Sequence, residues 1–93
     1  MELETRIEIW ERAKYELTIR REDYICRALA VGLWMHLRAE VLISKAFKVF
    51  PEALKYEPES KRTTNVWFSV DEDGRQKRIE ICNKVIKELK SQL

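Results

Sequence analysis

The sequence predicts an all-α fold: a small domain of three or four helices spanning residues 1–93, with one ordered aromatic loop and a homo-oligomeric assembly. Three observations predict it. Two Gly and two Pro in 93 residues leave room for long regular elements. Apolar residues recur at three- and four-residue spacing in several segments, which is the signature of helices with one buried face. In the stretch Tyr24–Leu37, eleven of fourteen residues are apolar, with Arg27, Gly32 and His36 the exceptions. A surface helix of a monomer carries a single apolar stripe. This one is apolar nearly all round, so the sequence predicts that it is wrapped by the rest of the chain or by copies of itself, at the centre of the core.

Taken in order, Leu3, Ile7, Trp10, Ala13 or Lys14, and Leu17 place the first helix over residues 2–18. A short turn is expected at Thr18–Arg21. Glu22 and Asp23 then put negative charge where the dipole of the second helix favours it. That helix runs from about Asp23 to Leu37 or beyond. Gly32 inside it costs roughly 1 kcal/mol relative to Ala, and its expected return is the close approach of another backbone or of a ligand. A further helical run passes through Val41, Leu42, Lys45, Ala46, Val49 and Phe50. The sequence leaves open whether it continues the second helix or breaks from it near residues 38–40. Pro51 ends the run, and Pro51-Glu52-Ala53-Leu54 can open one more helical turn.

Residues 56–68 read as irregular: Tyr56–Asn65 is a surface loop, and Val66-Trp67-Phe68-Ser69-Val70 is an extended segment whose aromatics pin it to the helices. Ser69-Val70-Asp71-Glu72 fits a capping box. The last helix is expected to run to about Gln92, with Ile79, Cys82, Ile86, Leu89 and Leu93 as its apolar stripe and Val85 widening it.

Composition narrows the function. The chain is 45% apolar and 37% charged with a net charge of +2, which fits a globular domain and argues against a dedicated nucleic-acid binder. Residues 75–93 carry a local charge of +4, but residues 1–24 are net −2 and would oppose broad phosphate contact. The longest apolar stretch is too short for a membrane span, which needs about 20 residues. The start Met-Glu-Leu-Glu-Thr-Arg does not resemble a signal peptide. Cys26 and Cys82 each sit in an apolar helical pattern and are expected as reduced thiols in a cytoplasmic protein.

Enzyme signatures are weak. His36 is the single histidine, and only Cys82 of the same chain, or Cys26 of another copy, is expected to reach it. One His and two distant Cys do not make a zinc site. Asp71-Glu72-Asp73-Gly74 lacks the spacing of a calcium loop, and no glycine-rich phosphate loop is present. The sequence therefore predicts a non-catalytic protein with no cofactor and no metal.

Arginines beside aromatics are more suggestive: Tyr24 with Arg27, Trp34 with Arg38, and Trp67 and Phe68 near Arg75 and Arg78. Arg27 interrupts an apolar helix, and a buried Arg needs an anionic partner. That partner is either Glu22, Asp23 or a neighbouring copy's Glu, or the phosphate or carboxylate of a ligand. Aromatic rings stack on bases and Arg pairs with phosphates bidentately. Arg27, Trp34, Arg38, Trp67, Arg75 and Arg78 are accordingly the candidate contacts for a phosphorylated, nucleotide-like small molecule.

The motifs Trp10-Glu11-Arg12-Ala13, Tyr24-Ile25-Cys26-Arg27-Ala28-Leu29, Phe50-Pro51-Glu52, Trp67-Phe68 and Arg75-Gln76-Lys77-Arg78-Ile79 resemble those of small accessory proteins encoded by bacteriophages of gut bacteria. The resemblance covers most of the chain and brings no established catalytic residues. It implies a compact, non-structural phage protein acting in the cytoplasm of an infected cell. A recurring activity among such proteins is to block host defence, and one form is an oligomeric sponge that sequesters a nucleotide-derived immune signal. The alternative is a protein–protein module that inhibits or adapts a host protein through residues 41–56 or the basic last helix. A module of that kind predicts an exposed apolar patch, and a sponge predicts a concave, Arg-lined site. A third reading, binding to DNA or RNA, predicts strongly salt-dependent affinity.

Overall fold

A computed structural model describes residues 1–38, 45–56 and 72–93. Trp67, the loop and aromatic stretch at 56–70, the start of the capping box and the 39–44 segment lie outside the described residues, apart from the backbone of Tyr56. Every regular element among the described residues is helical: α1 (Leu3–Thr18), α2 (Ile25–Leu37), α3 (Ala46–Val49), α4 (Glu52–Tyr56) and α5 (Glu72–Lys90). No helix among them is long and apolar enough to cross a membrane.

The central helix is α1, where the sequence had pointed to α2. It packs along α2 on one side and along α5 on the other. The reason lies in the width of its buried arc. Ile7, Trp10, Ala13 and Leu17 form the expected stripe, and Ile9 and Glu16 extend it around the helix. Glu16 is buried because Arg12 neutralises it at 3.0 Å.

The second helix buries only one face: Ile25, Ala28, Leu29, Gly32 and Leu33. At Gly32 the expected close approach is realised. A Cβ there would stand 2.9 Å from Ile9 Cγ2 and 3.1 Å from the Ile9 carbonyl oxygen. The helix stops at Leu37, because Arg38 adopts the left-handed conformation (φ 55°) and its N–H closes on the Trp34 carbonyl. That end settles the open question of continuation: α2 breaks at Arg38.

Farther along, α3 ends at Val49 with Phe50 as its C-cap, directly before Pro51, and α4 starts with Glu52, in line with the proline reading. One cluster fastens both to α1. Arg6 donates to Glu52 at 2.8 and 2.9 Å and to the Val49 carbonyl at 3.0 Å. Trp10 Nε1 donates to the same carboxylate at 2.9 Å. The Trp10 ring meets Phe50 edge-on with centroids 6.0 Å apart, and the Arg6 guanidinium lies over the Phe50 ring.

In α5 the buried face is rotated from the expected stripe. Arg75, Arg78, Ile81, Cys82, Val85 and Leu89 are buried. Ile79 and Ile86 only flank the core, and Leu93 is 71% exposed. Two arginines thus occupy the first turns of a face that apolar side chains line farther along.

Candidate functional site

The five described candidates fall into two settings. Arg75 is nearly covered, at 7% exposure. Its Nη1 donates to the Glu22 carbonyl at 2.8 Å and to the Leu17 carbonyl at 3.4 Å, and its Nη2 stands 3.9 Å from the Asp23 carboxylate. Leu17 lies in the last turn of α1, where carbonyls lack helical partners and the dipole end is negative. Arg75 therefore caps α1 and closes the α1–α2 turn. Arg21 takes a left-handed conformation (φ 56°) in that turn and pairs with Glu72 at 3.3 Å. Arg78 is 2% exposed. Its charge reaches Cys26, so these two motif residues are neighbours in the fold.

Arg27 and Trp34 stand on the other side, and Arg38 follows them at the C-cap of α2. Seven residues separate Arg27 from Trp34, about two helical turns, so both point the same way from α2. That side is opposite the stripe that faces α1. Arg27 is half-exposed rather than buried, because among the described residues only one face of α2 is covered. Its anionic partner is Glu22, with Nε to carboxylate 3.5 Å, and its guanidinium lies 5.8 Å from the Tyr24 ring centre. Trp34 is 46% exposed. Arg38 is exposed at the cap that follows, with no partner among the described residues. Met35 and Leu37, at 44% and 43% exposure, extend the apolar surface beside Trp34.

The possible nucleophiles are muted. Burial pushes the Cys82 thiol up to about 12, with the Lys14 charge opposing that rise only slightly. Burial also raises Cys26, offset in part by backbone hydrogen bonds and by the charges of Arg27 and Arg78. Both cysteines are free thiols, and at neutral pH both are protonated and poor nucleophiles. His36 approaches Glu8 on α1 at 3.5 Å, at the surface and away from the buried thiol face of α5. No group of three or more His, Cys, Asp or Glu among the described residues is arranged to hold a metal ion.

Sequence reasoning did not single out the groove of about 410 Å³ between α1, α4 and α5. Val85 and Leu89 supply its apolar lining, and Arg6–Glu52 and Lys55–Glu88 pair across it at 2.8 and 2.7 Å. The signal was present in Phe50-Pro51-Glu52, whose proline fixes Glu52 one residue into a helix start, within reach of Arg6 and Trp10. Those pairs satisfy one another and tie the helices together.

No family model, curated protein or solved structure matches this chain.

Proposed function

We propose that the chain is a non-catalytic helical docking module that binds a partner protein in the host cytoplasm through the outward side of α2, and so inhibits or adapts it. The observation that carries this reading is the cluster of Trp34, Met35 and Leu37, each 43–46% exposed at the end of α2. Contiguous exposed apolar groups on a small domain mark interaction surfaces, and Trp is enriched among the residues that dominate binding energy. The fold supports the reading in a second way. Arg75 Nη1 is committed to two backbone carbonyls, and the thiols are held protonated, which favours a binding role for the chain.

A second reading retains the sequestration of a phosphorylated, nucleotide-like molecule. It is favoured by Arg27 and Trp34 sharing the outward side of α2, with the exposed Arg38 at its C-cap. Small-molecule sites are concave and enclose most of the ligand, whereas a helix face supplies one wall. Sequestration therefore requires a second copy of the chain to complete the site.

Native mass spectrometry of the protein incubated with host extract separates these readings. Docking predicts a 1:1 protein adduct that Trp34→Ser removes while the helical circular dichroism is unchanged. Sequestration predicts an oligomer that gains a small, discrete mass per site. An unchanged monomer in both cases overturns both.

A further inference from the structure

The charge pattern of the same surface specifies its partner. We propose that the outward side of α2 receives an acidic amphipathic helix, with carboxylates at both ends of an apolar centre; this rests on the docking reading above. Eleven residues separate Arg27 from Arg38, about 16 Å along the helix. Between them lie the half-buried Val31 and the exposed Trp34. No Asp or Glu occurs anywhere in α2, Ile25–Leu37. The surface thus runs from a cation in the first turn of α2, through an apolar stretch, to an exposed cation at its C-cap.

A second copy of the chain fits this pattern poorly. Parallel α2 helices would set Arg27 against Arg27 and Arg38 against Arg38, and antiparallel ones Arg27 against Arg38. Like charges meet in either arrangement, which opposes association. An acidic helix fits in both respects. Its apolar ridge packs on Val31 and Trp34 as helices commonly pack, and its carboxylates reach the two arginines. Arg27 is able to change partner, because its contact with Glu22 is 3.5 Å long and half-exposed, where an ion pair is worth little.

The test uses three fluorescent synthetic helical peptides: one with Glu residues eleven apart flanking Leu residues, one with Lys in place of each Glu, and a scrambled control. Anisotropy titrations are run on the wild type, on Arg27→Glu with Arg38→Glu, and on Trp34→Ser, each checked for helicity by circular dichroism. The acidic peptide is expected to bind the wild type at least about tenfold more tightly than the Lys peptide, and the charge-reversed protein to invert that order. Trp34→Ser weakens both. If no peptide binds, or if charge reversal leaves the order unchanged, the acidic partner is overturned. In that event, Trp34→Ser still abolishing the protein adduct in extract leaves the docking reading standing, and an unaffected adduct removes it as well. A wild-type dimer in light scattering that Trp34→Ser dissolves would show a second copy as the occupant and overturn the proposal.

Discussion

Replacing Gly32 by Ala sets two effects of known size against each other. In an exposed helix the change stabilises by about 1 kcal/mol, because Gly loses more backbone freedom on folding. Here the added Cβ meets Ile9 Cγ2 at 2.9 Å and the Ile9 carbonyl oxygen at 3.1 Å. Ile9 is fully buried and sits mid-helix in α1, so its carbonyl moves only with the backbone and its Cγ2 only by leaving the χ1 rotamer that β-branched residues prefer in helices. Overpacking of this kind costs about 1–3 kcal/mol. The expected net result is a loss of up to about 2 kcal/mol, or several degrees of Tm at roughly 4–8 °C per kcal/mol for a domain of this size. Thermal unfolding followed by circular dichroism at 222 nm measures it. A double-mutant cycle identifies the cause. Ile9→Ala removes Cγ2, so Gly32→Ala should cost about 1 kcal/mol less in that background, whereas Ile9→Val keeps a γ-methyl and should give no such relief. A Gly32→Ala protein more stable than wild type by the full propensity gain would refute the close approach of α1 and α2.

Other expectations concern single residues. Arg75→Met should lower stability by about 2 kcal/mol in urea denaturation, since two carbonyls at the α1–α2 junction lose a charged donor; unchanged stability would refute the capping role. Arg38→Gly should raise stability by about 0.5–1 kcal/mol by relieving the left-handed cap, read as a higher denaturation midpoint at constant m-value. Cys82 should resist iodoacetamide at pH 8 until the protein unfolds, with Cys26 modified first, as followed by intact mass. Because folding raises the Cys82 thiol from 9.0 to about 12, the stability it contributes is complete below pH 9 and declines from there towards pH 12. Cys82→Ala should therefore flatten the alkaline limb of the stability profile.

Much of the helical order could be read from the sequence because local signals agree with tertiary packing there. The stripe from Leu3 to Leu17, the stop before Pro51 and the restart at Glu52 each have a backbone cause that acts over a few residues. Gly32 announced a close approach, although not with which element. Side-chain direction over long separations was harder to read. Apolar count alone made α2 look central, yet Trp34, Met35 and Leu37 face outward, and the width of the α1 arc decides the packing order. Arg75 and Arg78 read as candidate ligand contacts until the α1 terminus that accepts Arg75 is in place, 58 residues away at Leu17. A residue list cannot separate an arginine that caps a helix from one that awaits a ligand. Of the candidate contacts, Arg27, Trp34 and Arg38 remain on the surface where a partner can reach them.

The central position of α1 also sets a schedule for the chain as it is made. The helix that needs two flanking neighbours is synthesised before either of them, and the second neighbour, α5, follows well after α2. At ribosomal rates of about 5–20 residues per second, α1 and α2 wait several seconds before α5 emerges. Through that interval the α5-facing side of α1 has no cover, and the carbonyls that Arg75 will cap remain open. The nascent α1–α2 pair is thus the form most exposed to chaperones and proteases, and shortening α5 should leave the chain arrested there.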